Sequence, residues 1–124
     1  MLTTAYRDHL TRASIGESVT PFNSGNAYIG VGDSSAVANA SHTDLQGANK
    51  YRQAMEAGYP TRTGNTMTFR ALFGTDKANY AWNEWGVFNA ASGGTMMNRV
   101  VEALGTKTSA QSWQLTVSVT LNVA

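Results

Sequence analysis

The sequence predicts an all-β fold, an antiparallel β-sandwich of jelly-roll-like type with an N-terminal arm or short helix in front of it. Three observations carry this. In the stretch Ser112 to Ala124, Trp113, Leu115, Val117, Val119, Leu121 and Val123 take every second position, and Gln114, Thr116, Ser118, Thr120 and Asn122 take the others. Successive side chains of a strand point to opposite faces, so this stretch lays one apolar row on a core and keeps one hydroxyl-and-amide row outside. Thr66 to Phe73 alternates in the same way, with Met67, Phe69, Ala71 and Phe73 on one side. Turn-forming residues separate these runs from further short apolar segments, as in a sandwich.

Taken in order, Thr4 to Ala13 suits a short helix capped by Thr3 or Thr4, with Tyr6, Leu10 and Ala13 on one side. Gly16, Pro21, Asn23, Gly25 and Asn26 break any period, so residues 1–26 read as an arm and residues 27–124 as the sandwich. Ala27 to Gly32 is a short apolar strand turned by Asp33-Ser-Ser. Ser41-His-Thr-Asp44 has the form of a capping box and predicts one or two helical turns. Lys50 to Met55 fits a helical turn or a strand, and Gly58-Tyr-Pro60 ends it in either case. Gly64-Asn65 marks a turn before the Thr66 strand. Tyr80 to Asn89 is rich in aromatic residues and is read as a strand. Ala90 to Gly94 makes the loop of a hairpin, and Met96 to Leu104 returns antiparallel. Gly105 to Gln111 leads into the closing strand, against which the other strands are expected to align.

Composition bounds the function classes. The 124 residues suit one domain able to bury a core of its own. No cysteine is present, which excludes disulfides, thiolate metal sites and a Cys nucleophile. Charged residues are 14% of the chain, against about 25% in an average soluble domain. Thr, Ser, Asn and Gly replace them, giving a neutral polar surface that loses little side-chain entropy when another protein covers it. A net charge of +1 without a basic run gives no long-range attraction for nucleic acid or anionic membrane. MLTTAYRDHL lacks the apolar stretch of a signal peptide, and no run reaches the ~20 residues of a membrane helix. The expectation is a soluble protein made in the cytoplasm.

Few residues suggest chemistry. The eight acids stand at no spacing that enforces a carboxylate pair. His42 lies near Asp44 and several serines without a nucleophile-elbow motif, and reads as a surface histidine. Gly30-Val-Gly32 lacks the lysine and following helix of a phosphate loop. Asp33, Asp44 and Asp76 form no calcium-loop pattern. The expectation is therefore no enzyme, no cofactor and no metal. Glu84 differs because it sits between Trp82 and Trp85 in an aromatic strand. Buried there it needs a cation, and Arg70 or Arg99 from neighbouring strands is the candidate partner in a structural ion pair.

The segment Tyr80-Ala-Trp-Asn-Glu-Trp-Gly-Val-Phe-Asn-Ala-Ala-Ser-Gly-Gly-Thr-Met-Met-Asn-Arg99 resembles a motif of small structural proteins of tailed bacteriophages. Upstream, Ile29-Gly-Val-Gly32, Thr43-Asp44-Leu45, Tyr51-Arg52-Gln53 and Met67 to Ala71 follow the order found in the N-terminal module of phage tail-collar fibre proteins. The likeness spans roughly Ala27 to Val123. A collar fibre continues into a shaft, and this chain does not, so it is more similar to stand-alone capsid decoration proteins.

That resemblance implies a non-enzymatic virion protein, a capsid decoration or cement protein that stabilises the head. Its partner would be the major capsid protein, and it would form a homo-oligomer, with a trimer over lattice symmetry points as the first choice. The N-terminal arm would reach a neighbour, with Tyr6, Leu10, Phe22, Trp82 and Trp85 as interface contacts. Two other functions fit the same sequence. One is a tail, collar or baseplate adaptor contacting tail proteins. The other is a carbohydrate-binding or hydrolytic β-sandwich with exposed Trp82 or Trp113 as a platform.

Overall fold

A computed structural model describes residues 1–123. One helix precedes seven strands: α1 (Thr4–Ser14), β1 (Tyr28–Gly32), β2 (Lys50–Ala54), β3 (Thr61–Thr63), β4 (Thr66–Phe73), β5 (Ala81–Phe88), β6 (Val100–Thr106) and β7 (Trp113–Thr120). They form two sheets, of order β2-β1-β5-β6 and β3-β4-β7, with every pairing antiparallel. The all-β sandwich with a short N-terminal helix is thus the observed architecture.

Period-two patterning explains the core. Phe69, Ala71 and Phe73 of β4 and Val117 and Val119 of β7 face Ile29 and Val31 of β1 and Trp85 and Val87 of β5 in one buried cluster. Phe73, Trp82 and Trp113 continue it as a chain of edge-to-face rings, with centroids 4.8 and 5.0 Å apart. Trp82 and Trp85 are three positions apart yet share this core, because a bulge between Trp82 and Glu84 breaks the alternation. The other face of β1 and β5 is also covered, by the loop of residues 33–47 and a second cluster of Leu45, Phe88 and Met96. β5 is therefore buried on both faces, which is why its sequence lacks simple alternation.

Several expectations are corrected. Ser41 to Asp44 forms no helical turn; the Asp44 carboxylate accepts the Leu45 N–H, and the following N–H groups of Gln46 and Gly47 go to Glu84 instead. The returning strand is β6, four residues later than Met96, because Met96 to Asn98 makes only isolated bridges, to Phe88 and Leu2. β7 pairs with β4 alone, so the closing strand is a sheet edge rather than the element on which the others align. Its last expected residue, Ala124, lies outside the described residues.

The N-terminal segment does not project. Thr3 caps α1 by accepting the Tyr6 N–H, and its hydroxyl also donates to the Met96 carbonyl. The Thr3 N–H donates to Met97 O at 3.1 Å and the Arg99 N–H to Met1 O at 2.9 Å, so residues 1–3 run beside Met97 to Arg99 like an added strand. Tyr6 is buried, and Phe22 folds back edge-on to it with centroids 5.5 Å apart. The expected arm is packed on its own domain because these apolar rings and paired backbone groups find partners there.

Candidate functional site

Two features stand out: a sealed carboxylate at the back of β5 and a neutral hydroxyl face on the three-stranded sheet. The first is built on Glu84, which has no exposed surface. Gly32 lies opposite it on β1, and the missing Cβ leaves room for the carboxylate, which an alanine there would strike. Two loops then close over it. Ser34 N–H donates to Oε2 at 3.1 Å, Gln46 N–H to Oε1 at 2.8 Å and Gly47 N–H to Oε2 at 2.8 Å. Arg99 Nε completes the set at 2.7 Å from Oε1.

Of the two candidate arginines, Arg99 makes the pair. It is itself fully buried, gives a second hydrogen bond from Nη1 to Ala36 O at 2.8 Å, and leaves Nη2 without a partner. Arg70 belongs to the other sheet and does not reach Glu84. Its Nε lies 3.2 Å from Glu56 Oε2, an ion-pair distance without hydrogen-bond geometry, and its guanidinium stacks on Tyr59. A carboxylate holding three backbone N–H groups and one guanidinium ties β5, residues 33–36, residues 44–47 and Arg99 into one unit. Sealed from solvent, it organises structure and offers no substrate access.

Neighbouring polar groups extend this unit. Asp44 bonds Lys50 Nζ at 2.9 Å and Arg52 Nη2 at 3.4 Å, and Arg52 lies 3.6 Å over the Phe88 ring. Burial would raise the Asp44 carboxyl, yet the Lys50 and Leu45 hydrogen bonds and the charges of Lys50 and Arg52 outweigh it and hold it below the usual carboxylate range. Tyr80 donates to Val31 O at 2.8 Å, and burial, helped by the charges of Asp33 and Glu84, pushes its hydroxyl upward.

The tryptophans expected as surface contacts are not available. Trp82 is 1% exposed and its indole N–H donates to Ala78 O, so it is a core residue and no sugar platform. Trp85 is also buried, with its N–H on Glu102 Oε1 at 3.2 Å. Tyr6 and Phe22 pack around His9, while Leu10 stays exposed on the outer side of α1. Trp113 is half-buried, edge-on against Trp82. Sequence reasoning missed Asn89, Asn98 and Lys107, all buried, and offered Thr3 as a helix cap without its buried bond to the Met96 carbonyl. Asn98 Oδ1 accepts the Val87 N–H, standing in for a ladder carbonyl, and nothing in a single asparagine signals that role.

The second feature lies on the outward side of β3, β4 and β7. Register places Thr63, Thr66 and Thr120 in one row and Thr61, Thr68 and Ser118 in the next, with Thr116 beside Arg70. Thr66 and Thr120 hydroxyls are 2.9 Å apart, and those of Thr68 and Ser118 3.2 Å. Arg70 and Glu56 are paired with each other at one end, so the rest of the face carries no charge. It is exposed along β3 and β7 and suits protein contact, since hydroxyls both donate and accept and lose little entropy on being covered.

Comparison with protein-family models, with curated proteins and with solved structures finds no match. No helix among the described residues is long and apolar enough to cross a membrane, and no group of three His, Asp or Glu among them is placed to hold a metal ion.

Proposed function

We propose that this chain is a non-enzymatic structural subunit of a tailed-phage particle, a decoration or cement protein that binds the capsid surface and stabilises the head. The observation that carries the reading is the hydroxyl face of β3, β4 and β7, a rigid uncharged sheet surface presented to solvent. Burying neutral hydroxyls against a capsomer avoids the cost of desolvating charge, and binding to the assembled state alone stabilises it by mass action. The phage-like segment Tyr80 to Arg99 supports the same reading, and it contains both members of the Glu84–Arg99 pair that fixes the body. The partner is the major capsid protein. A tail or collar adaptor is the second reading, favoured by the collar-like order of Ile29 to Ala71.

Thr61→Lys with Thr68→Lys tests the face, because both side chains point outward and neither contributes to the core. The doubly substituted protein sets two lysines opposite each other and loses the Thr68–Ser118 contact, so its melting temperature should fall by only a few degrees. Co-sedimentation with capsids purified from the phage that carries the gene should fall at least about tenfold. Undiminished co-sedimentation with heads would rule out this face. Binding to purified tails and not to heads would select the adaptor reading.

A further inference from the structure

The two sheets expose four edges, β2, β6, β3 and β7. Unpaired edges template association, and proteins protect them with charge, shortness or bulges. Three of the four carry such protection. β2 holds Lys50 and Arg52 within five residues, β3 has three residues including Arg62, and β6 contains Glu102 and faces a bulge in its pairing with β5. β7 has none. Its eight residues contain no charge and no proline, and its register with β4 runs unbroken from Trp113 to Thr120.

The register also fixes which backbone groups are free. The Leu121 N–H donates to Asn65 O at 3.0 Å, one step beyond the Thr66–Thr120 pair. Hydrogen-bonded pairs alternate along an antiparallel ladder, so Trp113, Leu115, Val117 and Val119 bond to β4, and Gln114, Thr116, Ser118 and Thr120 turn N–H and C=O to the open side. The close hydroxyl contacts of Thr120 and Ser118 agree, since side chains approach most closely at non-bonded pairs. Beside this edge lies a cleft of ≈ 290 Å³ bounded by Trp82, Leu104, Trp113 and Leu115, where the three-stranded sheet leaves β6 uncovered.

We propose that this edge pairs with β7 of a second copy of the chain, antiparallel about a two-fold axis, joining the two three-stranded sheets into one continuous sheet. Parity makes a second copy of β7 a matching occupant. The outward backbone groups belong to the even-numbered residues, and those same residues carry the polar side chains. Any pairing between two such edges sets hydroxyl row beside hydroxyl row and apolar row beside apolar row. No charge opposes the contact. The register that uses all four open residues centres the axis on Val117, sets Thr116 opposite Ser118 of the partner subunit, and makes about eight backbone hydrogen bonds. The partner strand's apolar row then closes the cleft over Leu104. This contact does not depend on which particle the protein serves, and it makes the basic assembly two-fold rather than the trimer the phage resemblance implies.

Sedimentation equilibrium of the full chain tests it. The wild type should reach about twice 13.2 kDa. Ser118→Pro should remain at the monomer mass with its melting temperature nearly unchanged, because its N–H faces outward and no bond to β4 is lost. Should that variant fold poorly, Thr116→Lys with residue-resolved amide exchange replaces it. Amides of Gln114, Thr116, Ser118 and Thr120 should be protected in the wild type and lose about 100-fold or more in Thr116→Lys, while those of Leu115, Val117 and Val119 stay slow. A wild type that is monomeric or trimeric throughout, a foldable Ser118→Pro that still dimerises, or even-numbered amides that exchange freely in the wild type would overturn the pairing.

Discussion

Arg99 Nε lies 2.7 Å from Glu84 Oε1, and neither side chain has any exposed surface. Buried pairs are costly to break because the surviving charge has no solvent. Here the two members are unequal. Removing Glu84 strands one guanidinium and the N–H groups of Ser34, Gln46 and Gly47, whereas removing Arg99 leaves the carboxylate its three backbone donors. Glu84→Met should therefore cost about 3–5 kcal/mol and Arg99→Met clearly less. Arg99→Met also frees the Ala36 carbonyl, so equal urea midpoints at constant slope would mean that the carboxylate depends on its cation as much as on its three loop donors.

Close backbone approach makes a second prediction. A Cβ at Gly86 would stand 2.5 Å from the Asn98 carbonyl oxygen, which is held in place by the Met97 to Arg99 pairing. Gly86→Ala should lose about 1–3 kcal/mol. Gly58→Ala has open space around its Cβ and a positive φ of 87°, so its loss should come from backbone strain alone, about 1 kcal/mol. Thermal melts of the two variants separate clash from strain.

Thr3 joins helix and sheet, and Thr3→Ala removes the cap on Tyr6 N–H together with the donor to the buried Met96 carbonyl. The expected loss is about 1–2 kcal/mol, at the upper end for a helix cap. Deleting residues 1–20 should cost more and should expose Met97 to oxidation, since Tyr6 shares its buried cluster and Thr3 pairs with its backbone. Helical signal and methionine oxidation rate report the two effects.

Acid should weaken the fold in two steps. His9 is packed between Tyr6 and Phe22, and burial lowers its pKa below 6.5. The unfolded chain then takes up a proton that the folded one refuses, so stability falls as pH drops below about 6.5. The depressed Asp44 carboxyl contributes stability that is present above its unfolded pKa of about 3.9 and lost as pH falls through the lower folded value. His9→Phe should flatten the first step and Asp44→Asn the second, in denaturant titrations run across pH.

The alternation of Thr66 to Phe73 and Trp113 to Thr120 could be read directly because each strand has one dry face and one wet one. β5 could be read only as aromatic, since it is buried on both sides and bulged. Glu84 announced its need for a cation by its neighbours, yet its three N–H partners come from loops that no pattern of residue types places there. The capping box at Asp44 fails locally: the Ser41 N–H and hydroxyl both donate to Asn39 Oδ1, and the Asp44 carboxylate accepts the Leu45 N–H instead of the Ser41 N–H. Docking of residues 1–26 was hidden too, because Thr3, Tyr6 and Phe22 are ordinary loop and helix residues until Met96 and His9 are beside them. The surface that carries the proposed function, the Thr and Ser rows, was visible only as half of an alternation, and register was needed to assemble it.

Quantitative mass spectrometry of particles released by cells that carry the gene tests the proposed capsid role most directly. A decoration protein should be present in copy number comparable to the major capsid protein and should leave the particle with the head. Its absence from purified particles would contradict the account.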